Sequence, residues 1–160
     1  MSDIRRYSEA NIAYFVTSVS KNRKPIFTKE KSSNLLLLSI EYFKIVLDYK
    51  IFAYCILPEH LHFIIQPFGK HDLSYIMKML KGNFARRLNK INGITGDVWQ
   101  RGFYDEGIRN DSMLFQKIEY IHYNPIKHKL ITDLSQYEYS SYQHYFNSKK
   151  QILTIDDMNS

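Results

Sequence analysis

The chain has 160 residues, 44% hydrophobic and 24% charged, enough for one globular domain with its own core and too few for a second of ordinary size. A formal net charge of +6 favours an anionic partner, because Lys and Arg release counterions when they neutralise phosphates, although charge alone only tilts the balance toward nucleic acid. The single Cys55 excludes an internal disulfide, the four leucines at 35–38 are far too few to cross a bilayer, and the basic N-terminus lacks the apolar segment of a signal peptide, so a cytoplasmic protein with no membrane partner is expected.

Residues 12–19 are rich in β-branched and aromatic types and run into the polar segment 20–25, the pattern of a strand and its exit. From about Lys29 the period becomes helical, with Leu36, Ile40, Phe43 and Leu47 spaced by four and three and Ser32 or Ser33 as cap. Residues 51–57 and 60–66 are apolar runs parted by Pro58-Glu59 and closed by Pro67, which reads as an antiparallel hairpin. A second helix carries Leu73, Ile76, Leu80, Phe84 and Leu88 on one stripe; Gly82 inside it costs about 1 kcal/mol relative to Ala. Asn92-Gly93 and Gly96 mark a loop. Residues 98–108 read as a fourth strand, irregular around Gly102. Asn110 or Asp111 caps a third helix expected to end near Tyr123, ahead of Pro125.

Strand, helix, strand, strand, helix, strand and a further helix make an α+β chain with a split βαβ, ferredoxin-like sandwich: an antiparallel sheet with two helices on one face and the third over the other. Residues 1–160 form a single domain, with a core at about 5–125 and a tail, 126–160, whose Tyr137, Tyr139, Tyr142, Tyr145 and Phe146 pack over a sheet edge.

Two places carry chemistry. On a strand, His60 and His62 leave the same side, roughly 6–7 Å apart at Cα, with Leu61 and Phe63 facing the other way. Such a pair is half a site for a divalent ion, whose third ligand must come from elsewhere; by itself the pattern is weak, since most such pairs are ordinary surface or core histidines. On the third helix, Tyr120 and Asn124 stand four apart and so share a face, beside the apolar stripe Leu114, Ile118 and Ile121. The bland reading is that the tyrosine packs its ring and that the Asn before Pro125 is a C-cap.

Three blocks in order shift this balance: Tyr54-Cys55-Ile56-Leu57-Pro58-Glu59-His60-Leu61-His62, Val98-Trp99-Gln100-Arg101-Gly102-Phe103-Tyr104, and Glu119-Tyr120-Ile121-His122-Tyr123-Asn124-Pro125-Ile126-Lys127. Together they closely resemble the REP-associated tyrosine transposases, members of the single-tyrosine HUH superfamily related to insertion-sequence transposases that act on single-stranded DNA. The resemblance covers roughly residues 5–145. It implies metal-binding histidines at His60 and His62, the nucleophile at Tyr120 and the third metal ligand at Asn124, where the insertion-sequence branch usually has glutamine. It further implies nicking of single-stranded hairpin DNA by attack of Tyr120 on a phosphodiester, with a 5′-phosphotyrosine intermediate and rejoining of strands.

The implied cofactor is Mg²⁺ or Mn²⁺, with the imidazoles tilting intrinsic affinity toward Mn²⁺. The protein acts as a monomer, or as a homodimer that exchanges its tyrosine helix. Tyr123 is the runner-up nucleophile, with packing as its favoured role. The metal, Glu59 or His122 is left as acceptor of the Tyr120 proton, which a free phenol with a pKa near 10 does not readily give up. Arg5, Arg6, Lys78, Lys81, Arg86, Arg87 and Arg101, with Lys21, Arg23 and Lys24, are candidates for contacts to DNA, and exposed aromatic rings near the site for stacking on unpaired bases. The alternative is a nucleic-acid-binding module on the same sheet with no chemistry. A structural zinc site lacks a third strong nitrogen or sulfur ligand, and a two-metal hydrolase lacks its carboxylates.

Overall fold

The structure is a computed structural model that describes residues 12–148 and 150–158. Its elements are β1 (Tyr14–Val19), α1 (Glu30–Leu47), β2 (Tyr49–Leu57), β3 (His60–Pro67), α2 (Leu73–Asn92), β4 (Tyr104–Gly107), α3 (Asp111–Lys127) and the short α4 (Tyr142–Asn147). The strands form one antiparallel sheet in the order β2-β3-β1-β4, the split βαβ arrangement read from the sequence.

Alternation along the strands sorts side chains into two cores. Val16, Tyr54, Ile56, Leu61, Phe63 and Ile65 pack with the apolar stripes of α1 and α2. Ala13, Phe15, Ala53, Cys55, Leu57 and Ile64 point to the other face and pack with Ile118 and Ile121 of α3. A register shift between Ile51 and Ala53 marks a bulge that puts Phe52 on the α3 side together with Ala53. β3 is therefore buried from both directions.

Three local expectations change, and the continuity of the second helix holds. Ser32 and Ser33 are not caps: Lys29 holds that position, and the Ser33 hydroxyl donates instead to the carbonyl of Phe27 at 2.9 Å. α2 runs unbroken through Gly82 between an Asp72 cap, whose carboxylate accepts from Tyr75 N, and Gly93 in the left-handed region. Of residues 98–108 Tyr104–Gly107 form the ladder with β1, whereas Trp99 makes an isolated bridge to Ser20 and Gln100 N donates to Val19 O; the strand is interrupted between them, and the Trp99 side chain enters the core, its ring on Phe27 and Phe84 and its Nε1 donating to Lys81 O. Finally, α3 passes through Pro125 and ends at Lys127.

Proline forfeits only the N–H that would have reached the Ile121 carbonyl, and the next turn is closed by other bonds. His128 N donates to Asn124 O, Lys129 N to Ile126 O and Leu130 N to Pro125 O, each at 2.9 Å, a Schellman closure with Lys129 left-handed at φ 57°.

The tail lies along β2, an edge strand that would otherwise expose its hydrogen-bonding groups. Ile56 N donates to Tyr139 O and Ser141 N to Tyr54 O, while the hydroxyls of Tyr137 and Tyr145 donate to Ile56 O and Phe52 O. Leu153 and Ile155 go further and join the α1–α2 core. On its tail side α3 presents His122, whose Nε2 is 2.7 Å from Ser141 Oγ and whose ring meets those of Tyr142, Tyr145 and Phe146.

Two predictions follow from these contacts. Replacing Lys129 by Gly relieves a left-handed side chain, so Lys129→Gly is expected to raise stability by about 0.5–1 kcal/mol in urea denaturation. Burial pushes His122 from the ordinary 6.5 down to about 4, so the folded state keeps it neutral while the unfolded chain takes up the proton. Its contribution is therefore present above about pH 6.5 and lost as pH falls toward 4; the fall in urea midpoint over that window should be shallower in His122→Gln.

Candidate functional site

His60 opens β3 directly after the Pro58-Glu59 turn, and both imidazoles lie buried on the α3 face. Their Nε2 atoms converge to 3.0 Å, and each outer nitrogen has its own partner. His60 Nδ1 is 2.8 Å from Glu59 Oε1, and His62 Nδ1 is 2.8 Å from Oγ1 of Thr17, the residue opposite it on β1. A carboxylate only accepts, so His60 donates from Nδ1 and its Nε2 carries the lone pair. Outer partners of this kind orient the histidines of metal sites.

Burial pushes His62 down to about 3, with the neighbouring His60 as the second cause. His60 is also lowered, chiefly by burial, although Glu59 pulls the other way. Both rings are thus neutral near pH 7, the form that ligates metal. Phe15 stacks on His62 with ring centroids 5.4 Å apart and closes the floor of the site.

α3 supplies the other wall. Ile118 and Ile121 seat the helix on the sheet, which turns Tyr120 and Asn124, four residues apart, toward the histidines. The Tyr120 ring stands 5.8 Å from both His62 and Phe15. Asn124 is fully buried; its Nδ2 donates to Tyr120 O at 2.9 Å, whereas its Oδ1 has no hydrogen-bond partner. The same side chain lies beside His62.

These residues fit a divalent ion. Two nitrogens bound at right angles, each about 2.1 Å from one ion, lie about 3 Å apart, which is the Nε2 separation in the structure. An unpaired buried carbonyl costs about 1–3 kcal/mol, and a cation beside it would remove that cost. Among the described residues no three of His, Cys, Asp and Glu cluster in a way that could hold a metal, so a site here depends on the Asn124 amide.

The phenol of Tyr120 is 38% exposed, and Lys127 Nζ lies 3.3 Å from its oxygen. Neither sequence-level candidate for proton acceptor is placed there. Glu59 is engaged by His60 and by Arg23 at 3.9 Å, and His122 faces the tail. Tyr123, expected to pack, is instead 53% exposed.

The basic candidates separate. Arg5 and Arg6 lie outside the described residues. Lys78, Arg86 and Arg87 are on the solvent side of α2, in the layer opposite the histidines. Lys81 is not free for a phosphate: its ammonium donates to the carbonyls of Gln100 and Gly102, and burial lowers its pKa. Arg101 is exposed in the loop before β4. Sequence reasoning missed Thr17, Phe15, Lys117 and Lys127. Lys117 pairs with Glu106 at 2.8 Å and lies 4.8 Å over Phe15; Lys127 was hidden by the expected helix end at Pro125.

Residues 8–124 match a family described as IS200-like transposase, a span that includes every residue of the site as far as Asn124. A Haemophilus influenzae protein assigned to the REP-associated tyrosine transposases is 30% identical, over 89% of this chain and 86% of its own length. The REP-associated tyrosine transposase of Escherichia coli K12 is 28% identical, over 89% and 83%. A solved REP-associated tyrosine transposase bound to a REP hairpin superposes with a TM-score of 0.72 at 25% identity, covering 100% of this chain and 94% of that one. The chain belongs to the IS200-like transposase family, and its resemblance within it is to the REP-associated tyrosine transposases.

Proposed function

We propose that the chain nicks and rejoins single-stranded hairpin DNA by covalent catalysis, with Tyr120 as nucleophile and a divalent ion, Mg²⁺ or Mn²⁺, held by His60, His62 and Asn124. The observation that carries this is the meeting of a half-exposed phenol, two converging neutral imidazoles and a buried unpaired carbonyl at the junction of β3 and α3. When bound, the ion supplies Lewis acidity to the scissile phosphate.

The remaining work belongs to the protein. Glu59 and Thr17 fix the imidazoles with Nε2 toward the site, and the stacked Phe15 excludes water from beneath His62. The Tyr120 oxygen attacks phosphorus; its bond to phosphorus forms as the bond to the 3′-oxygen breaks, the phenolic proton passes to solvent and the 3′-oxygen takes one up. No water is consumed, so the phosphotyrosine keeps the bond for transfer to another 3′-hydroxyl.

The relative solved with a REP hairpin supports hairpin DNA as substrate. Tyr104, 57% exposed and with its ring 6.3 Å from Phe15, offers a stacking surface for an unpaired base at the rim of the site. Among the described residues no helix is long and apolar enough to cross a membrane; action on DNA supports a place in the cytoplasm.

Incubation with labelled single-stranded hairpin DNA and Mn²⁺ should give a protease-sensitive covalent adduct that EDTA prevents. Tyr120→Phe should abolish it and Tyr123→Phe should not; an adduct formed by Tyr120→Phe sinks the assignment, and binding without any adduct favours a module with no chemistry. The metal can be followed separately by Mn²⁺ electron paramagnetic resonance. Thr17→Val, which frees His62 Nδ1, is expected to lower Mn²⁺ affinity roughly 10–100-fold, and Asn124→Leu to lower it further.

A further inference from the structure

We propose that Lys127 is the electrostatic partner of the nucleophile: its ammonium holds the Tyr120 oxygen in place and neutralises the charge on that oxygen when it bears neither proton nor phosphorus. This rests on the reading of Tyr120 as nucleophile. Lys127 Nζ lies 3.3 Å from the phenolic oxygen and 4.9 Å from the ring centroid. Seven residues make almost two full helical turns, so Tyr120, Asn124 and Lys127 form one stripe. That stripe exists only because α3 continues beyond Pro125 to its closure at Lys129 and Leu130.

The comparison with Lys117, on the same helix, is informative. Lys117 gives its charge to the Glu106 carboxylate at 2.8 Å. Among the described residues Lys127 meets no carboxylate within ion-pair distance, and its hydrogen bond goes to the phenol. A charge-assisted bond of this kind is roughly twice as strong as a neutral one and strengthens as the oxygen becomes anionic, which is the condition for catalysis as opposed to mere binding.

The step balances without further reagents. In nicking, the phenolic proton goes to solvent, the tyrosine oxygen bonds phosphorus, and the 3′-oxygen leaves with its electron pair and is protonated. In rejoining, a 3′-hydroxyl gives its proton to solvent as its oxygen displaces the tyrosine oxygen, whose electron pair returns to it as phenolate beside the ammonium and then takes up a proton from solvent. Lys127 exchanges no proton in either step.

The competing role for Lys127 is a plain contact to a DNA phosphate, and the two predict different kinetics. Loss of a phosphate contact lowers affinity and makes the salt dependence of binding shallower by about one unit of slope. A partner of the nucleophile acts instead on the single-turnover rate at saturating DNA, where affinity no longer counts.

The test uses the full chain with Mn²⁺ and a single-stranded DNA hairpin whose flanks are first selected, from a randomised library, by wild-type adduct formation. At saturating hairpin, Lys127→Gln should form adduct about 10²–10³-fold more slowly, with hairpin affinity little changed. Lys127→Arg should recover most of the rate, and an unchanged Mn²⁺ affinity of Lys127→Gln shows that fold and metal site are intact. A deficit confined to hairpin affinity overturns the proposal and leaves Tyr120 as nucleophile. A wild-type chain that forms no adduct, or a Tyr120→Phe chain that does, overturns the reading of Tyr120 and this inference with it.

Discussion

The seating of α3 on the sheet is the contact on which the site depends. Ile118 and Ile121 are buried against Phe15, Ala53 and Ile64, and burial of each contributes roughly 1.5–3 kcal/mol. The helical period does the rest: with those two side chains fixed on the sheet, Tyr120 and Asn124 must face the row that holds His60 and His62. The gain is large enough to carry what the site costs, since the unpaired Asn124 oxygen costs about 1–3 kcal/mol. An apolar contact thus sets the geometry of a polar site.

That polar site gathers departures from a rule that most of the molecule obeys. Most buried donors and acceptors find one another, as where Ser33 bonds the Phe27 carbonyl and the Tyr49 hydroxyl donates to Ile40 O; Ser18 Oγ, Tyr139 OH and Gln151 Oε1 are also unpaired. Between β3 and α3, two imidazoles turn their Nε2 atoms together and a carbonyl oxygen is left without a hydrogen atom to accept. Local inconsistency at a place otherwise well ordered is where function is found, and the missing complement is a positive charge. The motif resemblance in the sequence and this electrostatic gap are separate lines of argument that meet at His60, His62 and Asn124.

How much of this was legible in the sequence follows from the range of each signal. Periods of two and 3.6 are local, so both faces of β3, the apolar stripes of α1 and α2 and the pairing of Tyr120 with Asn124 could be read directly. Pro125 misled because the rule for the residue before proline is also local, whereas the closure that keeps α3 helical comes from residues 128–130. Trp99 misled because its strand-like neighbours yield to a pocket made by Phe27 and Phe84, far away in sequence. Lysine composition is the least legible of all. Lys81 serves as a staple for the Trp99 loop and Lys78 faces solvent, and nothing in their immediate neighbours announces the difference.

The packing of α3 on both sides also constrains how Tyr120, the proposed nucleophile, can move. Lifting the helix off the sheet would expose Ile118 and Ile121 at about 3–6 kcal/mol, and it would break the His122–Ser141 contact that ties α3 to the tail along β2. The Tyr120 side chain is under no such restraint: its phenol is partly exposed, and its polar contact is to one flexible lysine. Rotation of the tyrosine about its own side-chain bonds is therefore far cheaper than displacement of the helix. A phosphate approaching over β4 and Tyr104 would meet a fixed floor of histidines and Asn124, with the phenol as the adjustable part.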